Sequence, residues 1–272
     1  MDNTKLNNIN LWSSLRTLTS ARIGLGRTGN ALPLQETLAF KTAHAHARDA
    51  VFSTLDIPLL VQDINAFALP FYVVKTKAQD RPTYLKRPDL GRSLDGTSLQ
   101  ELRNAYQPAA LAVVVADGLS AGAINLYAIK LLQQLMPLIS EQFTVAPIVI
   151  AEQARVAIGD EVACMLGAKS VLVLIGERPG LSTPESMGAY LTYQPVIGCT
   201  DEARNCISNI HDNGLNTTVA AEKIAYLLQQ MHSKKISGVT LKDTYEQTIV
   251  DTVKTNLITN TQHVKESFET QV

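Results

Sequence analysis

From residue 110 onward the chain alternates short, apolar, β-branched runs with stretches of helical periodicity, and that rhythm leaves few folds open. Ala110-Leu-Ala-Val-Val-Val-Ala116 is the kind of run required of a strand buried on both faces of a parallel sheet. Asp117-Gly118-Leu119-Ser120 ends it, and Ala121 to Leu138 then carries helical spacing. A second strand is expected at Val145 to Ala151, and a helix from about Val156 to Gly167. The third strand, Val171 to Ile175, runs into Gly176-Glu177-Arg178-Pro179-Gly180. A fourth is expected at Ala189 to Tyr193, and the helix Thr217 to His232 places Ala220, Ile224, Leu227, Leu228 and Met231 on one face. Strand and helix in turn predict an α/β fold with a doubly wound, mostly parallel sheet. Ligands of such sheets sit outside the carboxyl ends of the strands. Here those ends are Asp117-Gly118, Glu152 to Val156 and Gly176 to Gly180.

Upstream, Leu34 to Leu55 holds a strong helical pattern that includes Ala43, Ala45, Ala47 and Ala50. Residues 75–109 are polar and carry Pro82, Pro88 and Pro108, which reads as loop with short elements joining a helical part to the main domain. The expected organisation is an extension over 1–20, a helical N-terminal region over 21–109, an α/β domain over 110–242 and a tail over 243–272. In the extension Leu11, Trp12, Leu15 and Leu18 share a helical face. That suits either a frayed terminus or a short helix that docks on a partner.

With 46% apolar and 18% charged residues in 272, the composition is that of a packed globular chain, long enough to bury a core without staples. A net charge of -1 lacks the basic surplus of a nucleic-acid binder. No apolar run nears the ~18 residues of a membrane span, and Met1 to Ser20 lacks the layout of a secretory signal. A soluble, cytosolic protein is expected. Cys164, Cys199 and Cys206 are too few and too scattered for a disulfide framework and form no CxxC pair for zinc.

Gly24-Leu-Gly26-Arg-Thr-Gly29 matches the dinucleotide fingerprint letter by letter, which raises a stand-alone Rossmann-type NAD-dependent oxidoreductase as the alternative reading. The context argues against it. Leu18 to Ile23 is no β run, and Ala31-Leu-Pro33 delays the helix whose free amides would meet a pyrophosphate. His44 and His46, two apart on a helix, point to different sides and make no metal pair. Cys164 reads as core, and Cys206 follows a turn with no base beside it to make a thiolate. Asn209-Ile-His211-Asp-Asn-Gly214 is similar to the Asp-x-His-x-x-Gly loop of base-off corrinoid proteins. Asn209 replaces the carboxylate that would orient the imidazole, so His211 is not expected to bind cobalt. No catalytic acid, base or nucleophile set emerges from the chain.

Six segments in order nevertheless resemble one family. They are Arg22-Ile-Gly-Leu-Gly-Arg-Thr-Gly-Asn-Ala-Leu-Pro33, His44-Ala-His-Ala-Arg-Asp-Ala-Val51, Val115-Ala-Asp-Gly-Leu-Ser-Ala121, Arg155-Val-Ala-Ile-Gly-Asp-Glu161, Ile175-Gly-Glu-Arg-Pro-Gly-Leu181 and Cys206-Ile-Ser-Asn-Ile-His211. Together they are similar to the small (light) subunit of ethanolamine ammonia-lyase over about residues 21–242.

The resemblance implies an adenosylcobalamin-dependent carbon–nitrogen lyase (EC 4.3.1.7) that turns ethanolamine into acetaldehyde and ammonia. In that family a large barrel subunit hosts the chemistry, and the small subunit holds the cobalamin in a Rossmann-like domain. The helical N-terminal region is then expected to contact the large subunit. Val156, Glu177 and Cys206 match the family's cofactor-contacting positions, and Arg155 is available to neutralise the nucleotide phosphate. The family keeps the cofactor's own base on cobalt, so no protein metal ligand is expected. Family extensions imply that Met1 to Ser20 directs the enzyme into a bacterial microcompartment in the bacterial cytoplasm.

Overall fold

The computed structural model describes residues 12–246. The N-terminal part holds α1 (Ser13–Arg16), α2 (Leu34–Phe52), α3 (Ile57–Ile64), β1 (Phe71–Lys75), α4 (Arg81–Lys86) and α5 (Gly96–Asn104). Then follow β2 (Ala109–Ala116), α6 (Ala121–Ile139), β3 (Ile148–Glu152), α7 (Ile158–Leu166), β4 (Ala168–Gly176), β5 (Met187–Tyr193), β6 (Asn205–Ile210) and α8 (Thr217–Lys234). The starts of four helices are fixed by side-chain caps: Asp56, Asp80, Asp95 and Asn216 each accept a backbone N–H from the first turn of α3, α4, α5 and α8.

The six strands form one sheet in the order β1-β3-β2-β4-β5-β6. The first four are parallel, and β5 and β6 each run antiparallel to the preceding strand. The fold is therefore α/β with a mostly parallel sheet. Side chains alternate along β2, so Leu111, Val113 and Val115 meet α3, α6 and α8 on one face. Ala112, Val114 and Ala116 meet α5 and α7 on the other. Both faces are buried, which is why β2, β3 up to Ala151 and β4 from Val171 to Ile175 read as unbroken apolar runs.

The sheet reaches beyond the strands that the apolar runs predict. β1 pairs with β3 from Phe71↔Ile148 to Lys75↔Glu152. β6 closes the opposite edge against β5, with Tyr190 opposite Cys206. The stretch over 75–109 folds as short elements, α4 and α5 with a tight turn between them.

The helix α2 is unlike the others. Of its 19 residues only Ala50 is buried, while Leu34 (72% exposed), Leu38 (53%) and Phe52 (52%) face outward. Residues 1–11 of the N-terminal extension and 247–272 of the tail lie outside the described residues. Within the extension, α1 exposes Trp12 and Leu15, and Leu18 beyond it is also exposed. Among the described residues no helix is long and apolar enough to cross a membrane.

Candidate functional site at the carboxyl ends of the central strands

The chain leaves β2 for α6 on one face of the sheet and leaves β3 for α7 on the other. The winding therefore reverses between β2 and β3, where a crevice forms at the strand ends. Asp117, next after β2, is buried there. Its Oδ1 accepts the Ala154 N–H at 3.0 Å and its Oδ2 the Gln153 N–H at 2.9 Å, which pins the β3–α7 loop to the end of β2. Burial pushes the Asp117 carboxyl up to about 6, against the pull of the Ala154 N–H and the Arg81 charge.

Arg81, at the start of α4, fills the crevice. Its Nη1 donates to Gly118 O at 2.8 Å and lies 3.3 Å from both Asp117 Oδ2 and Gln153 Oε1, while Nε donates to Val51 O at 2.6 Å. Its Nη2 is buried with no partner. Three residues on in α4, the fully buried Tyr84 ring lies between two guanidinium groups, 4.8 Å from that of Arg81 and 4.2 Å from that of Arg155. Its hydroxyl donates to Ala154 O at 2.9 Å. Burial raises the Tyr84 hydroxyl well above the ordinary phenol value, so it stays protonated.

With that crevice plugged, the open cleft lies one strand over. It measures about 440 Å³ and is lined by the ends of β2, β3 and β4 together with Tyr84 and Tyr190. Two glycines let its floor close. Gly118 takes a φ of +54°, and a Cβ there would strike Gly176 O and Ile175 Cγ1. A Cβ on Gly176 would strike the backbone oxygens of Ser120 and Asp117. The strand-end loops thus meet backbone to backbone, and Leu119 N–H donates to Gly176 O at 2.9 Å.

Arg155, Val156 and Glu177, singled out from the sequence, line this one cleft. Glu177 Oε2 accepts from Ser186 Oγ at 2.5 Å and from the Asn209 N–H at 3.2 Å, and Oε1 takes part in neither bond. Cys206, the fourth of these predicted residues, does not line the cleft: it is exposed on β6, opposite Tyr190. Burial of its sulfur raises the Cys206 thiol, the Tyr190 hydrogen bond pulls the other way, and the Glu177 charge adds to the rise. The thiol stays neutral at pH 7 and is no nucleophile there. Sequence reading passed over Arg81, Tyr84 and Tyr190. The one local trace of the first two is Asp80-Arg81-Pro82, a cap followed by a proline in the first turn, which marks a helix start and nothing more.

A slightly larger cleft, about 480 Å³, lies between Asp89–Ser93 and Ile197–Asp201, and none of the four predicted site residues lines it. Among the described residues the glycine run has no strand before it, since β1 begins only at Phe71, and Pro33 caps α2 with no N–H to offer. Gly24, Gly26 and Gly29 all adopt positive φ in a turn outside the sheet, so the dinucleotide geometry is missing. His211 is buried with both ring nitrogens engaged. Asn213 N–H donates to Nδ1 at 3.2 Å, so Nε2 carries the proton and donates to Asn209 Oδ1 at 2.7 Å. No lone pair remains for a metal. Cys164 on α7 is partly buried.

A ligand of this cleft meets an apolar residue, a fixed carboxylate with one free oxygen and two arginines, Arg155 and Arg178, on strand-end loops. A family model described as ethanolamine ammonia-lyase light chain (EutC) matches residues 9–242. The chain is 48% identical over 232 residues to the ethanolamine ammonia-lyase small subunit of Bradyrhizobium diazoefficiens, covering 84% of this chain and 89% of that one. It is 46% identical over 257 residues to the small subunit of Pseudomonas fluorescens, covering 92% and 94%. With the small subunit of Xanthomonas campestris the identity is 47% over 246 residues, covering 89% and 90%.

Proposed function

The chain belongs to the ethanolamine ammonia-lyase light-chain family and so is a subunit of that lyase, and on that premise we propose that its strand-end cleft receives one edge of adenosylcobalamin beneath a catalytic large subunit. The observation that carries this reading is convergence. Arg155, Val156 and Glu177 come from two separate loops to one cleft, and Cys206 is the strand neighbour of Tyr190, which also lines it. The residues suit a large, flat, amide-rimmed ligand. Val156 gives apolar contact, Glu177 Oε1 is open to an amide N–H or a hydroxyl, and Arg155 Nε is a buried donor still without a partner. A cleft of about 440 Å³ takes an edge of such a ring and not the whole, so a second surface must cover the rest.

When bound, adenosylcobalamin supplies the radical chemistry by which ethanolamine becomes acetaldehyde and ammonia. This chain's residues position and exclude water. The Gly118–Gly176 contact seals the floor, Ser186 and the Asn209 N–H hold Glu177 still, and the Cys206 thiol, held neutral, does not compete for the reaction. The Rossmann-like α/β domain over 110–242 is the cofactor-binding part. The N-terminal region over 21–109 carries the contact with the large subunit through the outward Leu34, Leu38 and Phe52 of α2. The extension over 1–20 addresses the complex to a microcompartment in the bacterial cytoplasm.

The test is co-purification with the large subunit followed by loading with cobalamin. Corrin absorbance is expected to stay with the wild-type complex and to be lost when Val156→Glu places a charge in the cleft. Equal corrin retention by both complexes would contradict the placement.

A further inference from the structure

We infer that the cleft of about 480 Å³ between Asp89–Ser93 and Ile197–Asp201 is a second ligand site, and that it takes a small zwitterion, with the ammonium on Glu161 and the acid group on Arg92. It shares no lining residue with the strand-end cleft, so it stands apart from the reading of that cleft.

Three segments meet here, and α7 braces the other two. Ala157 and Glu161 come from the start of α7. Glu161 Oε2 accepts the Leu94 N–H at 2.6 Å, which ties down the turn Leu90–Arg92 just before it. Arg204 bonds Asp160 of α7 twice at 2.7 Å and donates to Cys199 O at 3.0 Å, which ties down the loop over 197–201. Cys164, also on α7, donates from Sγ to Pro195 O at 3.4 Å at the start of that loop. The walls are held by the chain's own bonds, which reduces the ordering cost of binding.

The charges select the ligand. Glu161 is only 9% exposed, and a carboxylate so buried needs both oxygens answered. Oε2 has the Leu94 N–H, and Oε1 takes no part in that bond. Among the described residues no cation pairs with Glu161, and no carboxylate pairs with Arg92, which is exposed and lines the same cleft. The other charges are answered or solvated. Arg87 holds Asp89, Asp160 neutralises Arg204, and Asp201 is 87% exposed, 3.5 Å from Arg204 Nε. Nor do the carboxylates serve a metal: among the described residues no three His, Cys, Asp or Glu side chains converge on one ion. A simple cation would leave Arg92 unanswered, and a simple anion would meet the Glu161 carboxylate. One molecule that carries both charges makes a charge-assisted bond at each end, and Ala157 and Ile197 offer apolar cover to the carbons between.

The experiment titrates the full-length chain at pH 7 and low salt with L-alanine, β-alanine and 4-aminobutanoate, and with propylamine and propanoate as single-charge counterparts. Binding is read by saturation-transfer NMR. At least one zwitterion is expected to bind about tenfold or more tightly than either counterpart. Glu161→Gln keeps an acceptor for the Leu94 N–H but loses the charge, and it is expected to weaken that zwitterion by about tenfold or more. Arg92→Gln is expected to do the same from an exposed position, and it reads the same quantity should the Glu161 variant fail to fold. Arg92→Lys, which keeps the charge without the fork, is expected to retain part of the affinity. The inference is overturned if no zwitterion binds, if propylamine or propanoate binds as well as the best zwitterion, or if both Gln variants bind like wild type. Each of these results leaves the strand-end cleft untouched, and loss of corrin from that cleft would leave this site standing.

Discussion

Replacing Arg204 with Met should be among the most damaging single changes available in this chain. Arg204 and Asp160 are a buried pair whose side chains are 1% and 2% exposed, joined by two parallel bonds, Nη1 to Oδ1 and Nη2 to Oδ2, each 2.7 Å. Nη1 also lies 3.2 Å from Thr192 Oγ1 and Nη2 3.0 Å from Cys199 O. Asp160 sits in the first turn of α7, four residues after Val156, and Arg204 precedes the strand that carries Cys206. The pair therefore locks together two segments that flank the cleft. Met leaves the Asp160 carboxylate buried without a counter-charge, a loss of about 3–5 kcal/mol. At roughly 2–4 °C per kcal/mol for a chain of this size, the melting temperature should fall by roughly 6–20 °C. Asp160→Leu should cost a similar amount, and the double variant should recover much of the loss, because replacing both partners by apolar groups removes the desolvation penalty. The assay is urea denaturation of the full-length chain at pH 7, read by circular dichroism as a double-mutant cycle. Single variants that lose under about 1 kcal/mol, or a double variant as unstable as the sum of the two, would refute the reasoning.

Asp117 titrates at about 6 when folded, above the ordinary 3.8, because it is buried. Its contribution to stability is fully present below pH 3.8 and is lost as pH rises through about 6, a difference of about 3 kcal/mol. Asp117→Asn should flatten this part of the stability profile between pH 4 and 7, and profiles that stay parallel would count against the assignment. Gly176→Ala pushes a methyl into Ser120 O and Asp117 O and should lower stability by about 2 kcal/mol or more, seen as a lower urea midpoint at unchanged slope. An unmoved midpoint would mean the floor is not close-packed. Leu34→Asp with Leu38→Asp should leave the stability of the isolated chain within about 0.5 kcal/mol, since both residues are exposed, yet weaken pull-down of the large subunit. Undiminished pull-down would remove α2 from the interface.

The central strands were legible because burial on both faces demands unbroken apolar runs, and β2, β3 and β4 have them. The edges were not. β1 is five residues long, and β6 alternates irregularly through Asn205, Cys206, Ser208 and Asn209 because one edge and one face meet solvent. Val156 and Glu177 could be placed at the site because they follow strands, and a ligand crevice is tied to strand ends whatever the ligand. Cys206 came by family likeness alone, and its place opposite Tyr190 depends on an antiparallel pairing that no local pattern announces. Tyr84 and Arg81 were invisible for a related reason. Their partners Ala154 and Gln153 lie 70 and 72 residues away, and only the packing of α4 over the crevice unites them.

The measurement that bears most directly on the account is a density map of the two-subunit complex loaded with cobalamin. The ring edge is expected over Val156 and Glu177, with the large subunit above. A cleft filled by solvent, with the corrin held elsewhere, would contradict it.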